Sequence, residues 1–336
     1  MAWLGLDIGG ANLKIADGEG FASSRGFALW QQPDKLATAL RSLIAEAPNA
    51  DHLAATMTGE LADCYETREE GVCEILDALT EAADGRHTRI YLTNGKLVTP
   101  EVARRQPLRA AASNWHALAT FVSRSLTEGK SGLLLDIGST TTDLIPIDAT
   151  GSLAEGSTDI ERLIHGEMLY TGVRRSPVCA VAREVPYRDA LIPVAQEVFA
   201  TMHDVYLILG DMLEQPGVSD MADGRPATKP YARQRLSRMI CGDSDSFHHR
   251  DAVRIAQAAA KAQIEHIADS FQLATEGMEI DVILICGEGD FLAKRVLDEL
   301  GWTGASIQLS SHLGPVVTQC APAHAVAILA REAAEQ

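Results

Sequence analysis

One short pattern occurs twice in this chain: an apolar strand ending in Asp-Ile-Gly, a tight turn, then a second strand. It restricts the fold more than any other feature. The first copy occupies residues 3–16, with Asp7, Gly9 and Gly10 at its turn and Asp17-Gly18 closing the second strand. The second copy starts at Leu133, passes Asp136 and Gly138, resumes through Thr142 and Asp143 to Ile147, and turns again over 148–151. Each reads as a hairpin. The copies lie 129 positions apart (136 minus 7), too far for a stacked repeat and suited to one domain used twice. A length of 336 residues also divides into two domains at roughly 100–200 residues each.

Between and after the hairpins, strand and helix patterns alternate. Leu36, Leu40, Leu43 and Ile44 recur at helical spacing after Pro33-Asp34, residues 52–57 and 89–92 read as strands, and a helix is predicted over 113–126. In the second part, Val253, Ala256, Ala260, Ile264, Ile267, Phe271 and Ala274 mark one face of a long helix. An apolar strand over 282–286 then ends at Gly287-Glu288-Gly289, followed by a short helix, a strand near 306–309 and an Ala-rich helix over 322–334. That last helix needs a partner surface to be stable. The domains expected are 1–130 with the C-terminal helix at about 322–336, and 131–321 with insertions at about 155–190 and 210–245.

Charge narrows the function. The formal net charge is -17, so a broad nucleic-acid face or an anionic membrane surface is disfavoured and any anion must be gripped locally. No apolar run reaches the ~18–20 residues that span a bilayer. Six cysteines without a CxxC pair, and an N-terminus that runs directly into a strand, predict a cytoplasmic protein with buried thiols.

The hairpins have the composition of a phosphate clamp. Gly9, Gly10 and Gly138 let backbone N–H groups approach phosphate oxygens and permit positive φ. Asp7 and Asp136 end buried strands, where a carboxylate needs a cation, a metal-bound water or several donors. Facing each other, they suit Mg²⁺ bridging phosphates; the plainer reading is that each caps its own turn. Asn12 and Lys14 alternate along the first hairpin, so both point to one face and Lys14 can neutralise a phosphate. The second hairpin offers the hydroxyls of Ser139, Thr140, Thr141 and Thr142 and the further carboxylate of Asp143.

On these residues the chain resembles the superfamily of actin, sugar kinases and heat-shock ATPases: 4–14 is similar to its first phosphate segment, 133–147 to its second, and 283–291 to the strand and Gly-x-Gly turn that pack its adenosine side. The resemblance implies an α/β fold of two actin-like (ribonuclease H-like) domains, mixed sheets flanked by helices, with a cleft between them. It also implies phosphate contacts from Gly287 and Gly289 and a site for ATP, which Glu288 would crowd or repel. The run Asp136 to Asp143 is most similar to the hydantoinase and oxoprolinase branch.

Within that branch, residues 56–64, 112–115, 166–172 and 222–225 resemble a family tied to tetrahydromethanopterin-linked one-carbon metabolism. Its archaeal members include the enzyme of methanofuran biosynthesis that joins an aminomethylfuran-methyl diphosphate to the phenol of γ-glutamyltyramine. The resemblance implies a transferase that forms an ether and expels diphosphate, with a phosphorylated small molecule and a phenolic acceptor as partners and room for self-association. Glu60 or Asp63, at the end of a predicted strand, would accept the phenol proton. Thr58, Asn114 and Asp223 are candidate substrate contacts, although a local cap for Asn114 and a turn for Asp223 are the plainer readings. An ATP-dependent hydrolase or kinase, and a nucleotide-gated binding module without turnover, are the competing functions.

Two other groups have metal-ligating residue types. His203, Asp204 and Asp211 share a probable helix, where a solvated or salt-bridged face is the plainer reading. Asp243, Asp245, His248 and His249 have the setting of a polar helix start.

Overall fold

A computed structural model describes residues 2–243 and 245–335. It is α/β, with two mixed sheets. The first sheet contains β1 (Trp3–Gly9), β2 (Asn12–Ala16), β3 (Ala22–Gly26), β4 (His52–Thr58), β5 (His87–Tyr91) and β6 (Leu97–Val98) in the order β3-β2-β1-β4-β5-β6. The second contains β7 (Ser131–Ile137), β8 (Thr142–Asp148), β9 (Gly151–Ser152) and β10 (Met168–Leu169). A separate hairpin follows, β11 (Glu184–Tyr187) with β12 (Ala190–Pro193), before the sheet is completed by β13 (Val282–Cys286) and β14 (Ala305–Gln308). The second order is β10-β8-β7-β13-β14, with β9 on β8.

The sheets share a plan. In each, a hairpin strand pairs antiparallel with its successor on one side and parallel with a later strand on the other: β1 with β2 and β4, β7 with β8 and β13. The parallel crossovers carry helices, as parallel pairing requires. Those strands are buried along nearly their whole length, the pattern of strands covered on both faces. Within residues 155–190, β10 pairs antiparallel with β8 and extends the second sheet beyond it.

Helices Leu36–Glu46 and Arg68–Ala83 cover one face of the first sheet, with Leu40, Leu43, Val72, Ile75 and Leu79 packed on Leu6, Ile8, Leu53 and Met57. On the second sheet the long helix His249–Ala274 takes the corresponding place and seats Ile255, Ala259 and Ile267 against Leu133, Leu135 and Ile283.

Two further helices, Asn114–Ser123 and Ala321–Glu335, lie between the sheets. Ala117, Val326 and Leu329 pack on Trp3, Ala54 and Tyr91 of the first sheet, while Trp115, Leu118 and Ala325 join Leu134, Ile145 and Leu284 of the second. The Ala-rich helix thus finds the partner surface that its composition calls for. Gly5 sets the approach, since a Cβ there would stand 1.9 Å from the Ala323 carbonyl oxygen. Backbone cannot give way as a side-chain tip can, so Gly5→Ala should lower stability by about 3 kcal/mol, read as a drop in the chemical denaturation midpoint.

Candidate active site

Asp7 and Lys14 form a registered pair on β1 and β2, and opposed residues of an antiparallel pair project from one face. Lys14 Nζ stands 3.6 Å from Asp7 Oδ2. The hydroxyl of Thr56, the neighbour of Asp7 on β4, lies 3.3 Å from the Leu6 carbonyl and 3.5 Å from Asp7 Oδ1. Burial pushes the Asp7 carboxyl above its ordinary range, and Lys14 and Thr56 only partly offset this. For Lys14, burial acts downward, but Asp7 and Asp136 outweigh it and hold the ammonium more firmly charged.

The second hairpin repeats this row with one reversal of sign. Asp136 is registered with Asp143 on β8 and with Cys286 on β13, so a carboxylate stands where the first hairpin has Lys14. Asp143 is neutralised by Arg162, whose Nη2 donates to Oδ1 at 2.6 Å. That arginine is buried, with its guanidinium carbon 4.2 Å from the centre of the Trp115 ring. Asp136 has no such partner. Burial and then Asp143 raise its pKa to about 7 against the pull of Lys14, and no hydrogen bond lowers it. Lys14 acts on Asp136 and Asp143 acts on Asp7 across the two hairpins, so these charges lie within electrostatic reach of one another.

The turns also present backbone donors. Among the described residues, the amides of Gly10 and Ala11 in the first turn and of Ser139 and Thr140 in the second donate to no backbone acceptor. None of Gly9, Gly10 and Gly138 has positive φ, contrary to the sequence-based expectation. Gly9 is required by close approach instead: a Cβ would lie 2.8 Å from the Asn12 carbonyl oxygen and 3.3 Å from Thr58 Oγ1, which also places Thr58 beside the first turn. Gly172 does the same for the second, where a Cβ would come 2.5 Å from both Gly138 O and Thr140 N.

Several expected contacts are engaged elsewhere. Thr142 is fully buried and its hydroxyl donates to Thr171 O at 2.8 Å, so it offers nothing to a phosphate. Gly287 (φ +91) and Gly289 are glycines because the β13 turn presses on the second hairpin: Cβ atoms there would stand 2.4 Å from Asp136 Oδ1 and 2.5 Å from Ile137 Cγ2. They hold the Asp136 turn in place. Glu288 is not a free charge, since Arg174 Nε lies 2.7 and 2.8 Å from its two oxygens.

Glu60 and Asp63, equivalent in sequence, separate in space. Asp63 is exposed. Glu60 is 1% exposed and its Oε2 has no hydrogen-bond partner among the described residues. Burial raises its pKa to about 7, partly opposed by backbone donors including the amide of Ala112. Gly71 lets helix Arg68–Ala83 close on the Glu60 backbone, where a Cβ would be 2.2 Å from Glu60 O. Nearby, Arg68 Nη2 and Asp159 Oδ2 meet at 2.8 Å and join the two halves of the molecule.

Asn114 does not cap its helix: Ser113 holds that position and makes no side-chain cap bond. Asp223 lies 2.9 Å from Arg235 Nη1, and Arg235, fully buried, also grips Asp204 at 2.7 Å. That triad anchors the loop before helix Lys229–Arg238 through Asp223 Oδ1, while Asp223 Oδ2 has no hydrogen-bond partner among the described residues. Asp204 is therefore salt-bridged rather than solvated, and Asp211 pairs with Arg295 at 2.6 Å. Asp243 accepts from the amides of Asp245 and Ser246, and Asp251 accepts from His248 N at the start of the long helix. Among the described residues no three His, Cys, Asp or Glu side chains are grouped to hold a metal. Arg162 was invisible in the sequence because its partner lies 19 positions away on another element; the only local signal was the capping box from Thr158 to Glu161 that starts its helix.

Known proteins bear on this site. The family described as hydantoinase/oxoprolinase matches residues 51–333. The chain is 34% identical over 329 residues, 97% of its length and 96% of the relative's, to the (4-{4-[2-(gamma-L-glutamylamino)ethyl]phenoxymethyl}furan-2-yl)methanamine synthase of Methanocaldococcus jannaschii. It is 32% identical over 213 residues, 63% of this chain and 95% of the relative, to the protein of the same name from Methanococcus vannielii. Among solved structures, a ROK family glucokinase from Streptomyces griseus in complex with glucose and AMPPNP superposes with a TM-score of 0.50 at 12% identity, covering 99% of this chain and 100% of that one. The fold is that of the actin-like ATPases.

Proposed function

Because this chain belongs to the hydantoinase/oxoprolinase family, and within it is similar end to end to an ether-forming synthase, we propose that it joins a furan-methyl diphosphate to the phenol of a tyramine- or tyrosine-containing acceptor and releases diphosphate. The product would serve a methanofuran-type cofactor of one-carbon metabolism. The observation that carries the reading is the convergence of two amide-bearing turns on one carboxylate cluster, with the buried, unpartnered carboxyl of Glu60 one residue after Gly59, which packs on the first turn.

Diphosphate binds between the turns in this mechanism. The amides of Gly10, Ala11, Ser139 and Thr140 and the ammonium of Lys14 meet its oxygens, with the hydroxyls of Ser139 and Thr141 and the amide of Asn12 at the rim. They stabilise the negative charge that grows as the carbon–oxygen bond to the methylene breaks and its electron pair leaves with the diphosphate. The phenol oxygen forms the new bond to the methylene carbon, and its proton passes to Glu60, whose raised pKa suits a base working near neutral pH.

The residues fit a divalent cation. Asp136 is unpartnered and Asp7 lies within the same charge cluster, and Mg²⁺ is commonly held by one or two carboxylates together with substrate phosphates rather than by a full protein cage. When bound, the ion would neutralise diphosphate charge.

The test is direct. Protein supplied with a furan-methyl diphosphate, a tyramine-type acceptor and Mg²⁺ should yield the aryl ether and an equal amount of diphosphate without any nucleotide. Steady ADP formation from ATP with no furan substrate, and no ether from the complete mixture, would replace this reading with an ATP-driven hydrolase or kinase.

A further inference from the structure

Trp30 and Arg175, each tied to one of the two turns, meet directly. Trp30 sits in the single helical turn Leu29–Gln31, tied to the first hairpin by Leu29 N–H donating to Gly10 O at 3.0 Å. Arg175 is tied to the second hairpin, since its N–H donates to Ser139 O at 2.9 Å and that of Arg174 donates to the same oxygen at 3.0 Å. The Arg175 guanidinium carbon lies 4.8 Å from the centre of the Trp30 ring. Residues 145 positions apart (175 minus 30) therefore bridge the two turns, each anchored to a different one.

The cation in this pair is conspicuously unspent. Around it, Lys14 is matched by Asp7, Arg162 by Asp143, Arg174 by Glu288 and Arg68 by Asp159. Arg175 is exposed, and among the described residues its ring contact is the interaction present, with no carboxylate paired to it, in a chain of net charge -17. An exposed cation–π contact contributes only about 0.5–1 kcal/mol, a weak hold for a group tied to a turn whose Ser139 and Thr140 amides have no backbone acceptor among the described residues. A guanidinium gains more from a phosphate, which it meets with two parallel hydrogen bonds.

We propose that Trp30 and Arg175 form the subsite for a heteroaromatic-methyl diphosphate: Arg175 leaves the indole to bind the outer phosphate, and the vacated indole face takes the heteroaromatic ring. The exchange suits the bond that breaks. As the methylene–oxygen pair departs with the diphosphate, positive charge builds on the methylene carbon and spreads into its ring. The indole face that holds a guanidinium in the resting protein then faces that charge. The ring half of this assignment rests on the function proposed above; the diphosphate half does not.

Inorganic diphosphate with Mg²⁺ is the probe. By calorimetry, Arg175→Gln should bind it at least about tenfold more weakly than the wild type, with Arg175→Lys between them, while all three melt alike. Diphosphate should change the tryptophan emission of the wild type as the guanidinium leaves the ring, and this change should vanish in Trp30→Phe. Affinity within about twofold of wild type in Arg175→Gln, or an emission change that survives in Trp30→Phe, overturns the subsite. If the wild type makes ether and Arg175→Gln still binds diphosphate normally, the subsite alone fails. If diphosphate binding depends on Arg175 but no ether forms from the furan substrate, the proposed reaction fails and the phosphate half of the subsite stands.

Discussion

Asp136→Asn should cut turnover about a hundred- to a thousandfold while the protein stays folded. The change removes a charge and almost no volume, and volume matters here because Gly287 and Gly289 press the β13 turn against the Asp136–Ile137 backbone. Asp136 is the carboxylate of the cluster that no protein cation satisfies, since Lys14 is drawn to Asp7 and Arg162 to Asp143. Its capacity is left for what the substrate brings. Losing one preorganised electrostatic contact to a developing charge typically costs 10²–10³ in rate, and the measurement is the initial rate of diphosphate release beside a thermal melt. Turnover within about threefold of wild type would remove Asp136 from the site. Asp143→Asn is the poorer probe, because it strands the buried Arg162 and should cost about 3–5 kcal/mol of stability.

Glu60→Gln should lower turnover about a hundredfold or more, and its pH signature separates a base from a packing residue. Burial lifts the Glu60 pKa from 4.5 to about 7, so wild-type activity should rise with pH through that value as the carboxyl gives up its proton. The sign for stability runs the other way. The folded state holds the proton more tightly than the unfolded state, so the contribution of Glu60 to stability is complete below about pH 4.5 and is lost as pH rises through about 7. Gln carries no such loss. Denaturation at about pH 5 and about pH 8 should therefore show Glu60→Gln gaining on the wild type at the higher pH, by on the order of 1 kcal/mol. A variant with normal turnover, or one whose relative stability is flat with pH, would remove Glu60 from the role of base.

The parts of this site legible in the sequence are those set by strand periodicity. Asp7, Lys14 and Asp136 could be read because a strand, a turn and a returning strand put alternate residues on one face, and the repetition of the unit indicated two halves. The neutralising residues could not be read. Arg162 reaches Asp143, and Arg68 reaches Asp159, only after separate elements have packed, and no local pattern encodes such a pairing. The threonine run marks Thr142 as a hydroxyl donor, but its partner, Thr171 O, lies 29 positions further along the chain. The glycine positions are legible but their cause is not: Gly9 is required by backbone crowding, and Gly287 by crowding together with its positive φ, which sequence spacing does not reveal. Glu60 and Asp63 show the limit most clearly, since two acids three positions apart differ only in which one the Arg68–Ala83 helix closes over.

The seat of the 321–335 helix on β1 bears on the order in which the molecule can be made. Gly5 emerges from the ribosome 318 residues before Ala323, the backbone it must touch (323 minus 5), an interval of roughly 15–60 s at ordinary translation rates. Throughout that time one side of the first sheet, with Trp3 and Ala54 on it, is covered only in part, by Ala117 of the Asn114–Ser123 helix. The nascent chain should consequently depend on holdase chaperones, and synthesis arrested shortly before the final helix should leave a sticky, aggregation-prone intermediate in place of a half-sized folded domain.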